Sequence, residues 1–311
     1  MSDVVLAIDA GGTKLLGGLV KGDGAVLGAD EVATPRAPEG CDPGLRALAA
    51  MAARLADTAS AAGHRVVGIG VGFPEYVRDG AVSSAEVFAW DRQPADVLAD
   101  VLPGVPVTVE GDVLCAAAAE AHARSMRPGS SLFYVSWGTG LSSALVLGGV
   151  PFRGRRGEAL ALGEWPVAAA VDSEWSENLE RYAAGLSLGR RYQQLTGAEL
   201  DGRSVIGRAA AGDDPVAADM VDSAARAVAH ALAQVVHLLD PDVVVLGGGL
   251  GTSGTRPPLL VAELLPGLLH RPDPPPVEVA VAGAQAGLTG AGLLGAVARE
   301  PSPELPDART P

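Results

Sequence analysis

A short polar segment near the amino terminus, Asp9 to Lys14, combines residue types that can bind a phosphorylated ligand. It lies between two apolar runs, so it predicts a turn between two strands. Two glycines permit positive φ and close approach of a ligand, and successive free N–H groups suit phosphate oxygens. Asp9 can then hold Mg²⁺, directly or through water. The alternative is a hairpin with an incidental Gly-Gly turn. The predicted phosphate ligands are Gly11, Gly12, Thr13 and Lys14.

Two further glycine clusters follow apolar runs that predict strands. Gly138, Thr139 and Gly140 lie between the runs 132–136 and 141–147, which repeats the first strand–turn–strand plan. This repeat predicts a second phosphate-binding turn in a related lobe. A third cluster follows the run 243–246 and lets the backbone approach a flat nucleoside. Its predicted contacts are Gly248, Gly249 and Leu250.

The third cluster also permits a dinucleotide-binding interpretation. Gly249, Gly251 and Gly254 have the spacing of that fingerprint, which should open a helix. The glycines here run into 252–258, which we predict to be a loop rather than the start of a helix. NAD is therefore the less favoured cofactor.

Composition restricts the kinds of partner. The formal net charge is −14 and no Lys/Arg cluster occurs, which argues against a nucleic-acid partner. No apolar run is long enough to span a membrane, and Met1 to Asp3 lack the basic region of a secretory signal. Two cysteines, Cys41 and Cys115, form no disulfide framework. We expect a cytoplasmic protein with a small-molecule ligand.

Strands alternate with helices along the chain, which predicts α/β lobes with mixed sheets. The predicted strands are 4–8, 14–20, 25–33, 66–72, 105–110, 132–136, 141–147, 243–246 and 277–281. The predicted helices are 43–62, 93–101, 113–125, 177–196, 203–211, 215–239, 258–268 and 285–298. The predicted units are an amino-terminal lobe 1–115, a carboxyl-terminal lobe 116–284, a closing helix 285–299 that packs back on the first lobe, and a disordered tail 300–311.

The order of these motifs resembles the ROK sugar kinases (repressors, open reading frames and kinases). Asp9 to Lys14 and Gly138 to Gly140 resemble the two phosphate loops of that family, and Gly247 to Leu250 its adenosine loop. Gly68 to Pro74 and Gly283 to Ala296 are similar to its glycine/proline segment and closing helix. The resemblance implies a two-lobed actin/hexokinase-like (ribonuclease H-like) ATPase fold with an interlobe cleft. No helix-turn-helix segment precedes Asp9, so the kinase branch is favoured over the repressor branch.

The resemblance places the catalytic base just after the predicted strand 105–110. The family has Asn-Asp there, and this chain has Glu110, Gly111 and Asp112. Asp112 would accept the proton of the attacking hydroxyl while ATP and Mg²⁺ are held by the loops. Its structural alternative is a helix cap. Glu110 and Gly111 would lie beside the acceptor.

The departures from the family point to a changed acceptor. The family's Gly-Glu-Ile-Gly-His is replaced by Gly163 to Val167, which keeps Glu164 and loses the histidine. No cysteine follows Cys115, so we expect no zinc site. Asn178 stands where the resemblance places the last cysteine of the zinc module, and Glu180 becomes a candidate acceptor ligand. Its structural alternative is a solvated helix face.

The sequence therefore predicts an ATP- and Mg²⁺-dependent kinase that acts on a sugar or sugar-like polyol, such as a C7 cyclitol. The alternatives are a glucokinase-like hexose kinase and a non-catalytic sugar or nucleotide sensor on the same fold. Polyphosphate is an alternative donor, because relatives that use it also lack the zinc module. The family includes dimers and tetramers, so a homodimer is a further expectation.

Overall fold

The first half of the chain forms a five-stranded sheet in a computed structural model that describes residues 2–35, 43–85, 87–88 and 90–296. The strand order is β3-β2-β1-β4-β7, with an antiparallel β1–β2–β3 meander and β4 and β7 parallel to β1. The elements are β1 (Asp3–Ala10), β2 (Lys14–Val20), β3 (Val26–Ala33), α1 (Pro43–Ala61), β4 (Arg65–Phe73), β5 (Val77–Arg78), β6 (Ala81–Val82), α2 (Pro94–Val101), β7 (Val107–Gly111) and α3 (Asp112–Ala123).

The second half repeats this plan in a sheet ordered β10-β9-β8-β11-β12. Strands β8 and β9 form an antiparallel hairpin, and β11 lies parallel to both β8 and β12. The elements are β8 (Ser131–Trp137), β9 (Leu141–Leu147), β10 (Val150–Pro151), α4 (Leu179–Ala183), α5 (Gly185–Thr196), α6 (Gly202–Ala211), α7 (Pro215–Leu239), β11 (Val243–Gly247), α8 (Gly248–Gly251), α9 (Arg256–Leu268), β12 (Val277–Val279) and α10 (Ala286–Ala296).

Each sheet has its own hydrophobic core. In the first half, the side chains of β1 and β4 pack against α1 and α2, around Leu6, Leu48 and Ile69. In the second half, α7 contributes the longest buried face, which packs with β8 and β11 around Leu232 and Val244. The central strands are buried because helices cover both sheet faces, which explains their uninterrupted apolar runs.

Helices α3 and α10 join the two halves through very close backbone contacts. A Cβ atom at Gly290 of α10 would overlap the carbonyl oxygen of Cys115 in α3. A Cβ at Gly70 of β4 would likewise overlap the carbonyl oxygen of Ala291. Glycine is therefore required at these positions by space, and α10 lies directly on the first sheet and on α3.

Two expectations about local structure were wrong. The predicted helix 177–196 is two helices, because Ala184 is extended at φ −67° and ψ 153° and separates α4 from α5. The predicted loop 252–258 is a loop only at 252–255, because α9 already begins at Arg256. Before this loop, Gly248–Gly251 form one helical turn. Strands β5, β6 and β10 were not predicted, because two residues carry no periodicity. Residues 297–298 of the closing helix and the tail 300–311 lie outside the described residues.

We predict that Gly290→Ala destabilises the protein by about 1–3 kcal/mol or more, because the new methyl group overlaps the α3 backbone. The matched control is Gly267→Ala in α9, where no atom lies within 4 Å of the added Cβ. That control should change the free energy of unfolding by no more than about 1 kcal/mol, in the stabilising direction. Urea denaturation of both variants measures the difference, and equal midpoints would contradict this account of the helix contact.

Candidate active site

A cleft of about 470 Å³ lies where the two halves meet. It is bounded by the turn after β1, the start of α3 and the turn after β8. Because β1 and β8 occupy equivalent positions in the two sheets, the repeat brings both glycine turns to the same opening. The predicted site residues that line the cleft are Gly12, Thr13, Gly111, Asp112, Gly138, Thr139, Gly140, Glu164 and Glu180.

Asp112 begins α3 at the floor of this cleft. Its Oδ1 accepts a hydrogen bond from the backbone N–H of the next residue, Val113, at 2.6 Å. The N-cap of α3 is Gly111, so Asp112 is the first helical residue and not the cap of its structural alternative. The side chain is open to the cleft, but the surrounding protein removes it from bulk water. This desolvation, followed by the negative charges of Asp9 and Glu75, raises the pKa of Asp112 to about 7 and outweighs the Val113 bond. A carboxylate of this basicity can accept a proton near neutral pH.

Asp9 lies near the end of β1 and faces the amino-terminal end of α10. Desolvation raises the pKa of the Asp9 carboxyl, and the charge of Lys14 opposes this rise. A Cβ at Gly287 would overlap the Asp9 carboxylate, so α10 lies directly against it. Within the described part of the chain no group donates a hydrogen bond to this carboxylate, which leaves oxygen ligands of the type that Mg²⁺ prefers.

The first glycine turn is held by backbone and threonine contacts. The N–H of Gly11 donates to the carbonyl of Lys14 at 2.9 Å, and Thr34 Oγ1 donates to the carbonyl of Gly11 at 2.6 Å. Lys14 Nζ lies 2.7 Å from Glu31 Oε2 on β3, and both side chains are half exposed. In this structure the Lys14 ammonium therefore pairs with Glu31 instead of reaching across the cleft.

The second and third glycine clusters touch each other. A Cβ at Gly138 would lie 3.3 Å from the N atom of Gly249, and Gly248 has a φ of +74° that favours glycine. Together they border a second cavity of about 940 Å³, whose wall includes Leu186 and Leu250. Gly138 and Thr139 line both this cavity and the cleft. The two spaces therefore meet at the second glycine turn.

Glu164 and Glu180 approach the cleft from the segment after β10. Glu180 Oε2 accepts a hydrogen bond from the N–H of Leu141 at 2.9 Å, which ties α4 to the end of the second glycine turn. Glu164 Oε2 accepts from Asn178 Nδ2 at 3.0 Å. Both carboxylates line the cleft, so they lie on the side where an acceptor would bind.

Glu110 does not have the position that was predicted for it. It is only 1% exposed, and Arg153 Nε lies 2.9 and 3.0 Å from its two carboxylate oxygens. Strand alternation places its side chain on the same sheet face as Thr108, away from Gly111. Arg153 itself lines the cleft, and sequence reasoning missed it because it lies in no motif.

Val167, which replaces the lost family histidine, and Trp165, two positions before it, both pack with the core. Val167 is 8% exposed and belongs to the core of the second half, and Trp165 packs against that core. Trp165 is thus a residue of the core boundary and not of the cleft lining. Neither side chain supplies the polar group that the resemblance would place here.

Glu75 is a further site residue that the sequence did not reveal. Its Oε1 accepts hydrogen bonds from the N–H groups of Val87 at 2.5 Å and Phe88 at 2.9 Å, and its Oε2 accepts from Ser84 Oγ at 2.5 Å. The loop that it holds reaches the first glycine turn, since a Cβ at Gly12 would lie 2.7 Å from Val87 Cγ1. Its charge also contributes to the raised pKa of Asp112.

The described residues contain neither a ready-made metal cluster nor a helix suited to a membrane. No group of three or more His, Cys, Asp or Glu side chains there is arranged to hold a metal ion. A cation at Asp9 would therefore need oxygen ligands from a bound phosphate or from water. Among the same residues, no helix has both the length and the apolar character that a bilayer crossing requires.

Comparison with known proteins gives matches along almost the entire chain. Residues 5–297 match the model of the ROK family. A glucokinase from Streptomyces coelicolor is 29% identical, with 96% of this chain and 99% of that protein covered. A kanosamine kinase from Amycolatopsis mediterranei is 30% identical, with 94% of this chain and 96% of that protein covered.

Solved structures give the same result for the fold. A ROK hexokinase from Thermus thermophilus is 32% identical, with a TM-score of 0.79 and with 94% of this chain and 98% of that chain covered. A ROK family glucokinase from Streptomyces griseus, in complex with glucose and AMPPNP, is 29% identical, with a TM-score of 0.73 and with 94% and 99% covered. These matches confirm the predicted two-lobed actin/hexokinase-like α/β fold class.

We predict that Glu75→Gln lowers the pKa of Asp112, because it removes a negative charge that opposes ionisation of that carboxyl. Carboxyl ¹³C NMR titration measures the shift directly. Glu263→Gln, in α9, is the control and should leave the Asp112 titration unchanged. An Asp112 pKa that is the same in wild type and Glu75→Gln would exclude this electrostatic coupling.

Proposed function

We propose that this chain, which belongs to the ROK family, transfers the γ-phosphoryl group of ATP to a hydroxyl of a sugar or sugar-like polyol. The relatives at about 30% identity that match along the chain are sugar kinases, which are phosphotransferases with an alcohol acceptor. The enzyme class is therefore that of the carbohydrate kinases. The acceptor and the roles of individual residues are the parts that we infer.

One geometric observation carries this proposal. The cleft and the second cavity share Gly138 and Thr139, and Asp112 lies on the cleft side of that junction. A nucleotide in the second cavity would present its terminal phosphate at the shared turn. A hydroxyl in the cleft would then lie between that phosphate and Asp112, which is the arrangement required for in-line transfer.

The chain's own residues would divide the chemistry as follows. Asp112 accepts the proton of the attacking hydroxyl as the oxygen bonds to phosphorus, and the bridging oxygen leaves with ADP. Backbone N–H groups of Gly11 to Thr13 and Gly138 to Gly140 stabilise phosphate charge, and Gly248 to Leu250 contact the adenosine. Lys14 would have to exchange its Glu31 partner for a phosphate in order to contribute.

Asp9 is the residue that would hold Mg²⁺, because its carboxylate has no hydrogen-bond donor among the described residues and lies near Asp112. A bound Mg²⁺ would neutralise phosphate charge during transfer. The cation would also relieve the repulsion between the carboxylates of Asp9 and Asp112. That repulsion, together with desolvation, is the physical reason for assigning the cation to this position.

For the acceptor, we favour a non-standard polyol such as a C7 cyclitol. Gly111 and Val167 supply no polar side chain at two positions where the resemblance predicts hydroxyl ligands, and Val167 is buried in the core. Glu164 and Glu180 remain as acceptor ligands. A glucose-type hexose is the alternative, supported by the glucokinase relatives, and an amino sugar is a related candidate because of the kanosamine kinase relative.

The activity prediction is tested by ADP release with Mg²⁺ and ATP across hexoses, amino sugars and cyclitols. We expect Asp112→Asn to lower kcat by about 10²–10⁴-fold, since the amide cannot accept the proton, while its Kd for AMPPNP stays within about threefold. Turnover with glucose but not with cyclitols would overturn the acceptor proposal only. Nucleotide binding without turnover on any acceptor would instead favour the sensor alternative.

A second prediction concerns pH. Because the pKa of Asp112 is about 7, its basic form is lost as the pH falls through that value. We expect kcat/KM to decline about tenfold per pH unit well below 7 and to be constant above it up to the next titration. The residual rate of Asp112→Asn should lack this acidic limb. A wild-type profile that is flat from pH 5 to 8 would contradict the role of Asp112.

A further inference from the structure

Asn178 makes three hydrogen bonds at the entrance to α4. Its Oδ1 accepts from the backbone N–H of Arg181 at 2.9 Å and caps the helix, and its Nδ2 donates to Glu164 Oε2 at 3.0 Å. Its backbone carbonyl accepts from Trp175 Nε1 at 3.3 Å. One side chain thus connects the start of α4, which carries Glu180, to the carboxylate of Glu164.

The backbone around Asn178 is anchored independently of its side chain. The N–H of Leu179 donates to the carbonyl of Trp165 at 2.7 Å, and Asn178 forms an isolated bridge with Pro166. These contacts place Asn178 opposite the short turn that ends in Glu164. The amide therefore has a defined position from which to orient the carboxylate.

An aromatic and arginine stack holds the same segment against the core. The ring of Trp175 meets that of Tyr182 edge-on at 5.1 Å between centroids, and the guanidinium carbon of Arg191 lies 3.7 Å from the centroid of the Tyr182 ring. Arg191 Nη1 also donates to the Tyr182 carbonyl at 2.6 Å. Tyr182 is 2% exposed, so the stack joins the segment to the rigid interior.

We propose that Asn178 is a positioning residue that sets the orientation of the Glu164 carboxylate toward the acceptor. This inference rests on the proposed function, in which Glu164 binds an acceptor hydroxyl. The Asn178 amide holds Oε2 of Glu164, which leaves Oε1 as the oxygen that would accept a hydrogen bond from the acceptor. The Glu164 carboxylate also loses little rotamer entropy when the acceptor binds, since the side chain is already ordered.

The first test uses Asn178→Asp, because an aspartate keeps the α4 cap but cannot donate to Glu164. We expect the acceptor KM to rise at least about tenfold, with kcat and the AMPPNP Kd within about threefold and the melting temperature nearly unchanged. Ser176→Asp is the charge control, since Ser176 is exposed two residues earlier and should leave the acceptor KM unchanged. A KM for Asn178→Asp within twofold of wild type would overturn the proposal.

A double-mutant cycle separates positioning from a general structural effect. If Asn178 acts through Glu164, then Asn178→Asp should change KM less than twofold in a Glu164→Gln background. An equal effect in both backgrounds would assign the change to the segment as a whole and reject the proposal.

The contact can also be observed without turnover, because Asn178 is the only asparagine in the 311 residues. Selective ¹⁵N-asparagine labelling gives one side-chain amide pair, which should shift on Glu164→Gln and stay in place on the control Ser176→Asp. No shift on Glu164→Gln would reject the hydrogen bond. Absence of wild-type turnover on every acceptor would contradict the proposed function alone, since this resonance still reports on the contact.

Discussion

The near-contact of helices α3 and α10 is the constraint on which the rest of the site depends. Gly290 leaves no room for a side chain against the carbonyl of Cys115, and a Cβ atom at Gly287 would overlap the carboxylate of Asp9. These contacts bring the first residue of α3, Asp112, and the end of β1 to the same point. A wider separation of the helices would move the two carboxylates apart and remove part of the charge that raises the pKa of Asp112.

The cleft concentrates negative charge, and this has a cost and a use. Asp9, Asp112 and Glu75 lie near one another in a partly desolvated space, where ionisation of Asp112 is opposed. The cost to the folded state grows as the pH rises from the ordinary carboxyl value of 3.8 to about 7 and is complete above that. Between these values the folded state keeps the Asp112 proton that the unfolded state has already lost. In the proposed mechanism, the same arrangement supplies a base of near-neutral pKa beside a position suited to a cation, so part of the stability is given up for activity.

The acceptor side of the cleft is organised by hydrogen bonds and ring contacts. Glu180 is bonded to the N–H of Leu141, Glu164 is bonded to Asn178, and Arg191 stacks on Tyr182 behind them. In each of the two carboxylates, one oxygen is thus held by a hydrogen bond from the protein. If Glu164 and Glu180 bind the acceptor as we propose, the side chains that hold this segment also orient the acceptor ligands, and specificity and local order then arise from the same contacts.

The sequence by itself determined the α/β class and the two strand–turn–strand units that carry the first and second glycine turns, because both follow from local patterns. The two-lobed actin/hexokinase-like fold followed from the resemblance to the ROK family. Apolar runs, glycine turns and the repeated hairpin require only neighbouring residues, and the strand after which Asp112 begins a helix is visible in the same way. Tertiary structure alone decided the partners of side chains from distant segments. Glu110 faces Arg153 rather than the cleft, Lys14 faces Glu31, and Glu75 holds a loop nine to thirteen residues away. Such pairings depend on which face of each strand packs against which loop. No local sequence pattern predicts this packing.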